Sequence, residues 1–199
     1  MSSFLARWIG YLLYNFRGRD HGLAVRLLNL EDQNPEIELT SAVFNDNDYM
    51  PLSSAGTGVG DNLSPELKIV LPSGDSATGS LVLVCQDLDA PLPNPITHLF
   101  AYDIPTNKTE FKQGDLNETD TPEGFKFGSG AFGRVGYIGP RPIPCHGDHR
   151  YIFQVFAINE KATKEFRELD TRPDLSRAIE IMKDNVISYG KLTGLYKRD

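Results

Sequence analysis

The segment SLVLVCQDLDAP, residues 80–91, limits what this 199-residue chain can fold into more than any other. Its unbroken apolar run from Leu81 to Cys85 is that of a central strand covered on both faces. IELTSAVF at 37–44 alternates apolar and polar residues, as a half-buried strand does. ELKIVLP, HLFAYDIP and RYIFQVFAIN also read as strands, with the turn-rich stretch 45–65 and the polar, glycine-bearing stretch 106–130 as long connections. Strands and helical patterns do not alternate regularly, so a parallel α/β sheet is not expected. The expectation is one mostly β, sandwich-like body with peripheral helices.

Two helical patterns flank it. At the start, Phe4, Leu5, Trp8, Ile9, Leu12, Leu13 and Phe16 recur at helical spacing. This amphipathic helix either docks on the core or meets a membrane interface, since Trp, Phe and Arg suit a headgroup boundary. Asp20–Leu30 reads as a second short helix, closed by Asn34-Pro35. Near the end, DLSRAIEIMKDNVIS reads as a helix over 174–188, with Asp174 as N-cap and Ile179, Met182 and Ile187 among its apolar positions. It stops near Gly190, and KLTGLYK follows as a terminal strand.

A net charge of −7 argues against a general nucleic-acid binder. No apolar run approaches the roughly 20 residues that cross a bilayer. The first 19 residues hold three arginines and no acid, broken by Arg7 and without a small-residue cleavage site. They read poorly as a secretory signal and weakly as a mitochondrial transit peptide. Only Cys85 and Cys145 occur, so no disulfide framework is expected and a cytoplasmic location is the default. The sequons at Asn62, Asn107 and Asn117 then carry no meaning.

Three segments carry chemistry. In QDLDAPLPNP, Asp87 and Asp89 stand two apart at a strand end, which puts both on one face and raises the pKa of at least one. The alternative is that one carboxylate caps a turn and the other pairs with an arginine. In ITHLFAYDIP, His98, Phe100 and Tyr102 share a strand face. In HGDHRY, His149 and Tyr151 share a face and Arg150 points away, toward an acid such as Asp87 or Asp89. No G-x-S-x-G elbow is present, CHGDH lacks the geometry of a helical metal motif, and GTGVG precedes no helical pattern. No metal and no cofactor is expected.

DLDAP, THLFAYDIP and GYIGPRPIPCHGDHRYIFQVFAI resemble, in that order, the signature blocks of the phosphatidylethanolamine-binding protein family. That family includes the Raf kinase inhibitor protein and the yeast inhibitor of carboxypeptidase Y. IELTSAVFNDNDYMPLSS, DNLSPELKIVLP and GKLTGLYK also resemble family segments, and the wording is nearest fungal and bacterial-type members. Coverage runs over 36–199, leaving 1–35 as an N-terminal helical extension.

The resemblance implies a central antiparallel Greek-key β-sheet, a smaller second sheet and peripheral helices, including a C-terminal one. It implies a small anion pocket lined by Asp87, Asp89, Pro91, His98, Tyr137, Gly139, Pro142, His149 and Tyr151. Arg141 stands beside it where many members have a small residue; Leu88 replaces a proline, and Ile143 the second proline of a pair. The expected ligand is phosphate or a phosphoethanolamine-type headgroup, its ammonium on a carboxylate and its phosphate on His149, Tyr137, Tyr151 and loop N–H groups. A protease or kinase partner is implied by analogy, with peripheral membrane contact through the first helix. The competing expectation is an Asp/His-dependent hydrolase, with or without metal.

Overall fold

The computed structural model of the chain describes residues 3–73, 78–117 and 124–199; positions 118–123 of the loop expected at 106–130 lie outside them. Among the described residues the strands form two sheets. The larger has the order β2-β9-β8-β4-β5-β7, from β2 (Asp48–Tyr49), β4 (Thr78–Asp87), β5 (Ile96–Ile104), β7 (Lys126–Phe127), β8 (His149–Asn159) and β9 (Val186–Tyr196). Its pairs are antiparallel except for β2 with β9. The smaller sheet, β1-β3-β6, is built from Glu38–Thr40, Leu67–Val70 and Glu110–Phe111. The run 81–85 is indeed central, paired on one side with β5 and on the other with β8.

The alternation along β4 and β8 divides the core in two. Leu81, Leu83, Cys85, Tyr151, Phe153 and Val155 face the small sheet, packed with Leu67, Ile69 and Phe111. Val82, Val84, Phe156 and Ile158 face helices, packed with Ala24, Val25, Phe166 and Ile181. Those helices are α2 (Ala24–Leu27), α3 (Glu160–Arg167) and α4 (Leu175–Met182), with α1 (Ser3–Leu13) lying elsewhere. Two buried glutamines fix α2: Ala24 N–H donates to Gln86 Oε1 at 2.8 Å and Val25 N–H to Gln154 Oε1 at 2.9 Å. They satisfy orphan donors of its first turn.

Two helices depart from expectation. α3 is additional to those expected. Its sequence EKATKEFR is too polar to show a stripe, and Asn159 starts it by accepting from Ala162 N–H at 3.0 Å. α4 begins where expected, with Asp174 accepting from Arg177 N–H at 2.9 Å, but ends at Met182 rather than near Gly190. Asp184 takes a φ of 61° and Asn185 Nδ2 donates to the Ile181 carbonyl at 2.9 Å, which closes the helix. Val186 and Ile187 then enter an eleven-residue strand whose ladder with β8 outweighs helical spacing.

Candidate functional site

The ends of three adjacent strands meet a proline-rich loop. Asp87 closes β4, opposite Tyr151 of β8, and His149 opens β8. His98 sits in β5 where the ladder slips: Cys85 pairs with Leu99 and Gln86 with Thr97, so His98 is the extra residue of a bulge. The bulge overturns the expected face sharing of His98 with Phe100 and Tyr102, because one inserted residue reverses the alternation. Phe100 and Tyr102 pack under α3, whereas the His98 ring meets Tyr151 edge-on at 5.1 Å.

The loop over 136–148 is pinned along its length. Tyr137 N–H donates to the Leu116 carbonyl, Ile138 N–H to the His98 carbonyl, and Gly139 N–H to Asn62 Oδ1, each at 2.8 Å. Cys145 N–H reaches the Arg198 carbonyl at 2.7 Å and Arg198 Nη1 donates to the Pro142 carbonyl at 3.1 Å. Gly139 lies so close to the 54–56 backbone that a Cβ there would stand 2.2 Å from the Ser54 carbonyl oxygen. The loop therefore holds one shape before any ligand arrives.

Strand ends and loop enclose a cavity of about 430 Å³, and eight of the ten expected residues line it: Asp87, Pro91, His98, Gly139, Arg141, Pro142, His149 and Tyr151. Sequence reading missed Arg134 and the exposed Phe132, which share the rim with Arg141, and Ile96 and Ile138, which add apolar wall. Phe132 holds a φ of 59°, a conformation a bulky residue rarely adopts.

Two expected residues are elsewhere. Tyr137 is buried with its hydroxyl donating to the Ser54 carbonyl at 3.0 Å, so it braces the wall. Asp89 faces away from Asp87. It accepts from Arg150 Nε at 2.8 Å, Arg150 Nη2 at 3.0 Å, Arg150 N–H at 2.9 Å and Gly18 N–H at 3.1 Å. Burial works to raise its pKa, but the Arg150 bonds and charge prevail and hold the carboxyl below its usual range. Asp87 Oδ1 meanwhile accepts from Asp89 N–H at 2.8 Å. The two acids thus form a turn cap and an arginine pair, not a repelling couple. Of the loop N–H groups, those of Tyr137, Ile138 and Gly139 are committed, to Leu116, His98 and Asn62.

Protons can be placed by hydrogen-bond counting. The Leu13 carbonyl only accepts, so His146 Nε2–H donates to it at 2.7 Å. Burial lowers the His146 pKa, so the ring is neutral and its Nδ1 accepts from His149 Nε2–H at 2.7 Å. His149 Nδ1 lies 2.9 Å from Asp87 Oδ2, so His149 joins Asp87 on the pocket wall to His146 behind it with both ring nitrogens engaged.

Two buried atoms of the cavity wall remain without a hydrogen-bond partner among the described residues, His98 Nε2 and Tyr151 Oη. His98 Nδ1–H donates to the Ile138 carbonyl at 2.6 Å, and burial lowers the pKa of the ring. Nε2 is thus a bare acceptor. Burial pushes the Tyr151 phenol well up, and the nearby Asp87 carboxylate adds to the shift; the hydroxyl stays a donor, close to Asp87 but outside hydrogen-bond geometry with it. An acceptor and a donor stand side by side beneath a rim that carries two guanidiniums.

The profile of the family described as phosphatidylethanolamine-binding protein matches residues 40–197. The chain belongs to that family. A UPF0098 protein of Pyrococcus horikoshii is 38% identical over 160 residues, 79% of this chain and 75% of its own. Among solved structures, E. coli YbcL superposes with a TM-score of 0.70 at 24% identity, covering 82% of this chain and 99% of that one. A carboxypeptidase Y inhibitor, complexed with its cognate proteinase, superposes with a TM-score of 0.55 at 16% identity, covering 95% and 96%. α1 lies outside the matched family segment. Among the described residues no helix is long and apolar enough to cross a membrane.

Proposed function

We propose that this chain is a binding and regulatory protein whose pocket takes a phosphate-type anion, free or as a phospholipid headgroup. One observation carries the reading: a buried acceptor, His98 Nε2, beside a buried donor, Tyr151 Oη, neither with a partner among the described residues. Such atoms are costly to leave unmatched. A ligand that satisfies both presents an N–H or O–H to His98 and an anionic oxygen to Tyr151, with Arg134 and Arg141 at the rim countering its charge. A phosphate monoester monoanion has both features. So does phosphoethanolamine, whose ammonium is the donor. Because Asp87 is bonded to His149 and Asp89 to Arg150, the expected ammonium–carboxylate contact gives way to His98. The proteinase-bound inhibitor of the same fold makes a protease the partner class to test first.

Calorimetry with glycerol phosphate and phosphoethanolamine tests this. The monoester loses its O–H above about pH 6. Glycerol phosphate then binds more tightly at about pH 5.5 than at about pH 7.5, while phosphoethanolamine, which keeps its ammonium, changes little. Equal pH dependence for the two ligands, or no binding by either, would sink the assignment. Hydrolysis is the second reading, favoured by the free Nε2 of His98. His149 has both nitrogens committed and offers no base. Turnover of p-nitrophenyl esters or phosphates that disappears in His98→Gln would replace binding with catalysis.

A further inference from the structure

α1 docks by a narrow side. Gly10 backs onto the pocket loop so closely that a Cβ would meet the Pro144 carbonyl oxygen at 1.9 Å, and the Leu13 carbonyl takes the His146 bond. The chain that leaves α1 is tied down as well. Arg17 donates to the Asp148 carbonyl, Arg19 N–H to the Leu88 carbonyl at 2.7 Å, and Arg19 Nε to the Leu92 carbonyl at 2.7 Å. The opposite side of the helix is apolar and open. Phe4, Trp8, Tyr11 and Leu12, spaced i, i+4, i+7 and i+8, are 70%, 56%, 61% and 73% exposed.

We infer that this face seats α1 in the headgroup region of an anionic lipid bilayer. The residue types decide the occupant. Trp and Tyr around Phe and Leu suit an interface with one apolar and one wet side. The helix SFLARWIGYLL contains Arg7 and no acid. The first 19 residues carry three arginines and no acid, so with −7 overall the remainder carries −10. A second copy would bring two acidic bodies together, whereas an anionic surface draws the basic end in and keeps the acidic body outward. At eleven residues the helix lies in the interface and does not span it. The surface is argued from α1 alone and does not depend on what the pocket binds.

Trp8 is the chain's single tryptophan, so its emission reports on this face directly. The full chain is mixed with vesicles of phosphatidylcholine, and with vesicles of phosphatidylcholine and phosphatidylglycerol in equal parts. The expected result is a blue shift and co-sedimentation with the mixed vesicles, reduced by added salt. Leu12→Asp, at an exposed position, should unfold at the wild-type temperature and bind the mixed vesicles at least about tenfold more weakly. The inference fails if the wild type shows no shift with mixed vesicles, if Leu12→Asp binds them equally, or if sedimentation in lipid-free buffer finds a dimer that Leu12→Asp dissociates. Phosphoethanolamine calorimetry on Leu12→Asp separates the two sites. Wild-type affinity there, with vesicle binding lost, places lipid contact in α1; loss of headgroup binding with vesicle binding intact refutes the inference and with it the independence of the helix face.

Discussion

Replacing Tyr151 with phenylalanine removes a hydroxyl that is fully buried and has no hydrogen-bond partner among the described residues, and the two consequences carry opposite signs. An unmatched buried hydroxyl costs about 1–3 kcal/mol, and a ring of the same shape without it forfeits nothing in packing. Taking the low end, the ligand-free variant gains about 1 kcal/mol, a rise in Tm of about 2–4 °C for a chain of this size. With an anion bound, the same hydroxyl makes a charge-assisted bond of about 1.5–3 kcal/mol, so the variant binds about tenfold to a hundredfold more weakly. Scanning calorimetry in phosphate-free buffer reads the first effect and titration with phosphoethanolamine the second. Tyr137→Phe is the control, because that hydroxyl already donates to the Ser54 carbonyl. Its loss should cost about 1 kcal/mol of stability and leave affinity unchanged. A Tyr151→Phe chain that is less stable than wild type, or that binds the anion equally well, would refute the reasoning.

Two further outcomes follow from buried charges. Burial lowers the His98 pKa, so the unfolded chain takes up a proton there that the native chain does not; stability falls as pH drops below about 6.5 and levels off below the native value. His98→Gln should flatten that part of a denaturant-midpoint profile, and an unchanged slope would show His98 to be protonated in the native state. For Asp89 the native value is depressed, so its contribution is complete above about pH 4 and is lost as pH falls through the native value. Asp89→Asn, judged by urea unfolding at neutral pH, should cost about 1–3 kcal/mol, since it removes the charge that Arg150 meets at its Nε and leaves Asp20 as the carboxylate bonded to that guanidinium.

Much of the fold was legible because burial on two faces leaves a plain mark. Leu81–Cys85 can only be a covered strand, and the alternation at His149, Arg150 and Tyr151 correctly divides pocket from arginine pair. What could not be read depends on contacts remote in sequence. The bulge that turns His98 toward Tyr151 arises from pairing across β4 and β5. The orientation of Asp89 is set by Arg150, 61 residues away. Asp184 and Asn185 end α4 through a local turn, yet it is the ladder with β8 that carries the following residues into β9. α3 has only Ala162, Thr163 and Phe166 facing inward, too few to announce a helix in a polar run. At the pocket, residue types were visible but bonding was not. Whether an N–H is free or a tyrosine is already satisfied is a property of the folded backbone.

The bonds from Leu13 through His146 and His149 to Asp87 run in series from a helix end to the pocket wall. The carbonyl at the start of that series belongs to α1, and the family segment begins at residue 40. A stretch outside the segment thus helps to hold a side chain on the wall of a pocket that it never lines.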